Sequence, residues 1–340
     1  MIRPQSSARA VLRQAVRTPP RETPDNIVEA SQGLLFCAEL LTMIAAPVLS
    51  GLRVADFAFA PEGDVRLQPY SGSVWRGAFG FALKRLVCVM RLRPCEGCPL
   101  AVVCVFPRFF GSDPEYDEPR PYVLAPEPTP PGGWVRAGQP FRVRLTLLGS
   151  AEAAAPYMMQ AVLDGAAHGL TRRRVPFVCL SVTSSGSVTA TIAGRLHGIE
   201  PIDLQPPPAP PAVRLRITTP LRLRLRGDLV TGQSLTAGQL IGAILRRARL
   251  LGVVVPAAIS PNVREQACVL AWQEPRFGWL ETTRFSSRQQ TRMQLGGIVG
   301  EARLDLRATP DVWPWLWLAS ILHVGKGASM GFGRIELHAD

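Results

Sequence analysis

The sequence contains very little lysine: of its 38 Lys and Arg residues, only Lys84 and Lys326 are lysines. Acidic residues are also scarce at 26, so the formal net charge is +12. A GC-rich genome would favour arginine over lysine, but it does not explain the net excess of positive charge. Such a chain favours a polyanionic partner, with nucleic acid as the first candidate and a membrane surface as the second. The planar arginine side chain suits both phosphates and bases.

Long hydrophobic runs are absent as well. The most apolar segment, residues 34–52, is interrupted by Glu39 and Pro47, which favours an internal strand with its loop over a membrane-spanning helix. Residues 1–26 are polar and rich in Pro and Arg, unlike a secretory signal, so we expect a cytoplasmic protein with no membrane partner. With 47% hydrophobic and 19% charged residues, a disordered or fibrous chain is excluded.

Proline marks the expected domain boundary. Residues 205–211 read QPPPAPP, a stiff spacer that neither a helix nor a central strand can absorb. Residues 112–140 concentrate Pro, Gly and acidic residues, which predicts a long surface loop. We therefore expect a flexible extension (1–32), an N-terminal domain (33–204), a proline-rich linker (205–211) and a C-terminal domain (212–340).

Hydrophobic periodicity gives the same order of elements in both halves. In the first half we expect strands at 33–48, 141–148 and 175–182 and helices at 72–89 and 151–167. In the second half we expect strands at 213–225, 268–273, 291–306 and 334–338 and helices at 235–251 and 310–322. A turn containing glycine precedes the last strand of each half. This order predicts an α+β protein with two tandem ferredoxin-like (RRM-like) βαββαβ domains.

Four of the seven cysteines lie close together in the sequence, at Cys88, Cys95, Cys98 and Cys104. A C-x2-C pair aims two thiolates at one metal, and two more within ten residues complete a tetrahedral set that suits a structural zinc. An iron–sulfur cluster uses the same ligands and is the less favoured alternative. Cys88 lies on a predicted helix, so plain core packing also stays open. An odd cysteine count in a non-secreted chain argues against a disulfide framework.

A glycine-rich run, HVGKGASMGFGRIE, begins at His323 and surrounds Lys326. Glycines let the backbone approach a phosphate or sugar closely, and the lysine adds a cation beside it. The order of a Walker loop is absent, and a hairpin that serves only packing is the alternative.

Two arginine groups form further candidate RNA contacts. Arg284, Arg288 and Arg292 recur at four-residue intervals, which predicts that all three lie on one face of an extended hairpin and follow a phosphate backbone. Arg172, Arg173 and Arg174 follow Gly169 at the equivalent turn of the first half. A solvated surface explains either group without RNA.

Several segments resemble the RAMP-superfamily endoribonucleases that process CRISPR precursor RNA. The resemblance spans about residues 33–338 and is carried by RFSSRQQTRMQLGGIVGEARLDL, HVGKGASMGFGRIEL, YSGSVWRGAFGFALKRLVC and CEGCPLAVVC. In that family a glycine-rich loop after the last helix contacts RNA. The resemblance therefore implies an RNA-binding role for the corresponding positions here, Gly325, Lys326, Gly327, Gly331 and Gly333.

Histidine is rare, and this limits the catalytic candidates. The four histidines are at positions 168, 197, 323 and 338. RNA cleavage without a metal needs a base, an acid and a cation for the pentacoordinate phosphate. His323 opens the glycine-rich run and is the histidine candidate. The family's base commonly lies near the first strand and helix, where this chain has no histidine and offers the polar groups of Tyr70, Arg76, Lys84 and Arg85.

The resemblance implies a metal-independent endoribonuclease. It would bind CRISPR repeat RNA and cleave it by attack of a 2′-OH, leaving a 2′,3′-cyclic phosphate and a 5′-OH. Its partners would be the repeat RNA, its crRNA product and, in some systems, other CRISPR effector subunits. The first alternative is a non-catalytic RAMP subunit that holds guide RNA. A metal-dependent enzyme that uses the cysteines and a basic structural protein are further alternatives.

Overall fold

A computed structural model of the chain describes residues 49–90, 94–111, 119–184, 187–190, 202–252, 261–286 and 291–340. The predicted extension (1–32) and the predicted first strand (33–48) lie outside the described residues. Between residues 49 and 204, the strands are β1 (Leu49–Pro61), β2 (Val65–Arg66), β3 (Tyr122–Pro126), β4 (Trp134–Val135), β5 (Phe141–Leu147), β6 (Phe177–Ser184), β7 (Ser187–Ala190) and β8 (Ile202–Leu204). The helices of this half are α1 (Gly72–Val87), α2 (Val105–Phe110) and α3 (Ala155–Ala167), and a 3₁₀ turn, Gly149–Ala154, precedes α3.

In the second half the strands are β9 (Ala212–Leu221), β10 (Arg224–Leu225), β11 (Asp228–Leu229), β12 (Gln273–Leu280), β13 (Thr283–Ser286), β14 (Thr291–Gln294), β15 (Gly297–Asp305) and β16 (Ile335–Ala339). Its helices are α4 (Ala237–Leu250), α5 (Pro261–Val269) and α6 (Trp313–Leu322), with 3₁₀ turns at Pro310–Val312 and Ala328–Met330. In the described residues, no helix is long and apolar enough to cross a membrane.

The first half forms an antiparallel sheet in the order β3-β5-β1-β6-β7. Helices α1 and α3 pack against each other, and their apolar side chains share one core with the sheet. Strand β1 lies later in the chain than the first strand we predicted. Its sequence alternates, so that Ala55, Phe57 and Phe59 are buried between the neighbouring strands and the helices. The order of β1, α1, β3, β5, α3 and β6 is that of a ferredoxin-like unit.

The prediction of one long loop at residues 112–140 is wrong in part. Tyr122–Pro126 is strand β3, all five residues are buried, and the strand pairs with β5. Pro121 and Pro126 bound it, and both prolines are tolerated because they sit at the ends of a strand on the sheet edge. The surrounding prolines hide the strand in the sequence.

The second half repeats the arrangement, with the sheet order β12-β15-β9-β16. Helix α4 begins with a capping box between Thr236 and Gln239, and α6 is apolar almost throughout. The predicted strand at 268–273 is wrong: Cys268 lies in α5, and the strand begins at Gln273. Both halves are therefore ferredoxin-like, as the repeated order of elements predicts.

Candidate functional site

The start of helix α1 lies against the glycine-rich loop of the second half, which we call the glycine loop (residues 323–333). The Tyr70 hydroxyl donates a hydrogen bond to the Met330 carbonyl at 3.1 Å, and its ring lies 5.7 Å from that of Phe332. Tyr70 is only 5% exposed. Burial raises the pKa of Tyr70, so the phenol stays neutral at physiological pH. This geometry favours a packing role for Tyr70 over the predicted catalytic one.

Close packing at Tyr70 explains one of the loop glycines. Gly331 has φ of 81°, and a Cβ atom there would lie 1.7 Å from the Tyr70 hydroxyl oxygen. Only glycine fits, because the backbone conformation and the close approach both exclude a side chain. Gly331 and Gly333 are buried, whereas Lys326 is exposed and Gly325 and Gly327 are half-buried. Of the predicted RNA-contacting positions in the loop, Lys326 is therefore the best placed, and the two buried glycines serve packing.

A second polar connection joins α1 to the glycine loop through strand β3. The Arg76 Nε donates to the Tyr122 hydroxyl oxygen at 3.1 Å, and the guanidinium lies 4.7 Å from the centre of the Phe110 ring. Burial raises the pKa of the Tyr122 phenol, against the opposing effects of Arg76 and of a hydrogen bond with Ser329. We call Tyr70, Arg76, Tyr122 and Ser329 the junction. Arg76 is half-buried, so a fixed cation lies at the surface of the junction.

His323 lies inside the protein. It is 5% exposed, and its Nδ1 lies 3.2 Å from the Phe332 carbonyl oxygen. Burial lowers the pKa of His323 to about 3, and the positive charges of Arg334 and Arg247 act in the same direction. The imidazole is therefore neutral and held by the backbone, an arrangement that favours a structural role over the predicted catalytic one.

Lys84 lies away from the junction, at the opposite end of α1. It is two helical turns from Arg76, a rise of about 12 Å. Its ammonium lies 5.6 Å from the centre of the Phe106 ring. Its charge opposes the rise that burial causes in the pKa of the Cys95 thiol. The structure thus places Lys84 beside the cysteines and brings only Tyr70 and Arg76 of the predicted catalytic residues to the junction with the glycine loop.

The four clustered cysteines are all free thiols and partly buried. The Cys98 N–H donates to the Cys95 carbonyl oxygen at 3.2 Å, which forms the tight turn expected of a C-x2-C pair. Burial raises the pKa of Cys95, and the charges of Cys88, Cys104 and Cys98 raise it further. However, no group of three or more Cys, His, Asp or Glu side chains in the described residues is arranged to hold a metal ion. The turn is of the kind found in zinc sites, but the four thiols do not form a metal-binding group here. Zinc binding therefore stays a prediction.

The predicted arginine ladder is wrong for the two described members. Strands β13 and β14 form a hairpin in which Arg284 pairs with Met293, and Arg292 pairs with Phe285. Paired residues share a face, so Arg284 and Arg292 occupy positions on opposite faces. The four-residue spacing holds only for one continuous strand, and here the chain reverses between the two arginines. Arg288 lies outside the described residues.

The arginines of the first half lie on a short turn between α3 and β6. Arg172, Arg173 and Arg174 are all exposed. The turn is closed by the backbone pair Leu170 and Val175. The prediction of a second phosphate-contacting turn is compatible with this placement.

Sequence reasoning missed Tyr122 and Ser329. Tyr122 lies in the segment we expected to be a loop, although the apolar run YVLA could have indicated a strand. Ser329 lies among the loop glycines, and nothing in the sequence shows that it contacts a residue of the other half.

Comparisons with known proteins agree with this architecture. Residues 215–335 match the family model described as CRISPR-associated endoribonuclease Cas6. The second half of the chain is therefore similar to Cas6. Residues 50–199 match a second family model, described as the AF_1859 N-terminal domain. A search of curated proteins found no significant match.

Solved Cas6 structures share the fold over most of this chain. Thermus thermophilus Cas6 in a product complex is 17% identical, with 85% of this chain and 100% of that chain covered and a TM-score of 0.51. The Cas6 portion of a partial Cas6-RT-Cas1–Cas2 complex is 12% identical, with 87% of this chain and 47% of that chain covered and a TM-score of 0.54. At these identities the likeness supports the common tandem fold, and residue roles must come from this chain's own geometry.

Proposed function

We propose that this protein is a Cas6-type endoribonuclease that binds the repeat segment of a CRISPR transcript and cleaves it without a divalent metal. The 2′-hydroxyl gives up its proton to water as its oxygen attacks the adjacent phosphorus. The bond from phosphorus to the 5′-oxygen then breaks, and the departing 5′-oxygen takes up a proton from water. The products are a 2′,3′-cyclic phosphate and a 5′-hydroxyl. No outside oxidant or co-reactant is needed.

The observation that carries this proposal is the position of Arg76. Its guanidinium is held between the Tyr122 hydroxyl and the Phe110 ring, and Tyr122 is hydrogen-bonded in turn to Ser329 of the glycine loop. A fixed cation at a partly dry surface can stabilise the extra negative charge of a pentacoordinate phosphate. Lys326, exposed on the same loop, attracts the phosphate backbone.

Proton transfer is the weaker part of the site. Tyr70 and His323 are buried and neutral, and burial also raises the pKa of Tyr122. Charge stabilisation by Arg76 then supplies most of the rate, which fits a slow enzyme that turns over once and keeps its product.

An Arg76 series tests this assignment. We expect Arg76→Ala to lower the rate of repeat RNA cleavage in EDTA about 100- to 1,000-fold, the range found when one oxyanion-stabilising group is removed. Arg76→Lys should recover part of the rate because it keeps the charge and loses the planar fork. Arg136→Ala is the matched control, since Arg136 is exposed and paired with Asp64 at 2.7 Å. Equal rates for Arg76→Ala and the wild type would remove Arg76 from the reaction.

The second candidate function is a non-catalytic RAMP subunit that holds guide RNA. The burial of Tyr70 and His323 favours it, because the described junction then exposes few groups that transfer protons. Tight binding of repeat RNA without cleavage would select this alternative. In either case we propose RNA as the partner, and association with other CRISPR proteins is suggested by the Cas6-RT-Cas1–Cas2 assemblies that share the fold.

A further inference from the structure

A cleft opens on the first half, away from the residues assigned to the reaction. It lies between α1 and the turn after α3 and has a volume of about 270 Å³. Val74 and Ala78 supply apolar surface, and His168, Thr171 and Arg174 supply polar groups. Drug-sized ligands usually fill about 300 to 1,000 Å³, so this cleft suits one small flat group.

Two aromatic rings face this cleft in nearly parallel orientation. The ring centres of Phe81 and His168 are 5.7 Å apart, with an angle of 23° between their planes. Phe81 is 55% exposed, and the guanidinium of Arg85 lies 5.9 Å from its ring centre. An exposed aromatic ring with cations beside it is the kind of surface on which proteins stack unpaired bases.

The turn beside the cleft is rigid and strongly basic. The backbones of Leu170 and Val175 bond to each other in both directions, at 2.9 and 3.1 Å. Within the turn, Thr171 and Arg174 have positive φ values of 66° and 50°. Gly169, with φ of 92°, lies so close to the Arg174 carbonyl that a Cβ atom would be 2.3 Å from its oxygen. Strained backbone of this kind concentrates at ligand sites. Of the three exposed arginines of this turn, Arg174 lines the cleft, and Arg172 and Arg173 precede it in the chain.

We propose that this cleft, which we call the Phe81 cleft, binds one unpaired nucleobase of the repeat RNA. The base stacks on Phe81, and the phosphates on either side of it pair with the arginines of the turn. This inference rests on the proposed function, since it takes repeat RNA as the ligand. It adds a contact with an unpaired nucleotide, made by residues of the first half that lie far in the protein sequence from the glycine loop.

An abasic scan combined with Phe81→Ala tests the proposal. Each nucleotide of the repeat RNA encoded beside the gene is replaced in turn by an abasic one, and affinity is measured at fixed salt. For the wild type, we expect one unpaired position to weaken binding about 5- to 150-fold, the range for one base stacked on an aromatic side chain. Phe81→Ala should weaken binding of intact RNA by a similar factor, and the two changes together should cost no more than either alone.

Two variants serve as controls. Phe81→Trp should restore affinity, because it keeps a stacking surface. Tyr157→Ala removes a 47% exposed aromatic residue of α3 that does not line the cleft, and it should leave affinity unchanged. Phe81 is exposed, so its replacement leaves the core intact.

The outcomes separate this proposal from the proposed function. Suppose that the wild type binds and cleaves repeat RNA. If Phe81→Ala then binds as well as the wild type, or if its effect adds to that of every abasic position, the cleft proposal is overturned and the proposed function stands. If the wild type neither binds nor cleaves the repeat, the proposed function fails. The cleft is then judged with an unstructured RNA carrying one 2-aminopurine. Quenching that depends on Phe81 supports base stacking, and its absence overturns the cleft proposal as well.

Discussion

Gly331 lets the glycine loop pack closely against Tyr70, because it has no side chain. A Cβ atom at this position would collide with the Tyr70 hydroxyl and would also adopt an unfavourable φ. We expect Gly331→Ala to lower the free energy of unfolding by at least about 1 to 3 kcal/mol, measured by urea denaturation.

Gly242→Ala is the matched control for that change. Gly242 lies exposed in helix α4, and a Cβ atom there meets nothing within 4 Å. Alanine at this position should raise stability by about 0.5 to 1 kcal/mol, because glycine is the poorer helix former. If Gly331→Ala were as stable as Gly242→Ala, the docking of Tyr70 on the loop would be incorrect.

The buried histidine predicts how stability depends on pH. Burial lowers the pKa of His323 to about 3, while an unfolded histidine titrates near 6.5. Below pH 6.5 the unfolded chain therefore binds a proton that the folded chain does not, and stability falls as pH falls towards 3. When the pH is lowered from 7.5 to 5.5, the histidine at position 323 should lower the free energy of unfolding by about 1.4 kcal/mol.

A His323→Asn variant isolates this contribution. Asparagine does not titrate, and its side-chain amide can donate a hydrogen bond to the Phe332 carbonyl oxygen as the imidazole can. Urea denaturation at the two pH values should show a smaller loss for His323→Asn than for the wild type. His338→Asn, which replaces an exposed histidine, should lose as much as the wild type does. If all three proteins lost the same unfolding free energy, His323 would titrate in the folded protein as it does in the unfolded one, and its burial would be contradicted.

At the scale of elements, the arginine turn predicts the salt dependence of RNA binding. Three phosphate contacts contribute about 2 to the slope of log affinity against log salt for single-stranded RNA. We expect the triple replacement of Arg172, Arg173 and Arg174 by Gln to reduce the slope by about that amount. Arg136→Gln, which breaks an exposed ion pair with Asp64, should not change it. An unchanged slope in the triple variant would place the turn outside the RNA interface.

The cysteine segment gives a prediction that is independent of RNA. We expect the purified protein to contain about one zinc per chain by mass spectrometry of the metal, held by Cys88, Cys95, Cys98 and Cys104. Cys95→Ser should lose the metal, and Cys268→Ser, in helix α5, should keep it. Iron in place of zinc would favour a cluster. A metal-free wild type would contradict the prediction, and the thiols would then serve packing.

Elements were easier to predict than contacts. Hydrophobic periodicity located α1 and β5 to within two residues at their ends, because the spacing of apolar residues within a segment indicates which of its side chains are buried. It failed at β3, where prolines resemble a loop, and at Cys268, where a short helix precedes the strand. Tyr70 could not be recognised as buried, since its burial depends on contact with the glycine loop of the other half. His323 could not be recognised as buried either, since its contact with Phe332 depends on how the loop folds back on itself.

At the scale of the whole molecule, the two ferredoxin-like units contact each other at the glycine loop. The glycine loop belongs to the second half of the chain, and it contacts Tyr70 and Tyr122, which belong to the first half. A reaction centre built on Arg76 therefore requires both units. We expect an RNA that occupies both the junction and the Phe81 cleft to contact α1, because this helix contributes Arg76 to the junction and Phe81 to the cleft.

The most direct test of this account is cleavage of the repeat RNA in EDTA, with and without a 2′-deoxy nucleotide at the cut. We predict that the wild type cleaves the all-ribose RNA, leaves a 2′,3′-cyclic phosphate and a 5′-hydroxyl, and fails on the 2′-deoxy RNA. Cleavage of the 2′-deoxy RNA, or cleavage that appears only when a divalent metal is added, would contradict it.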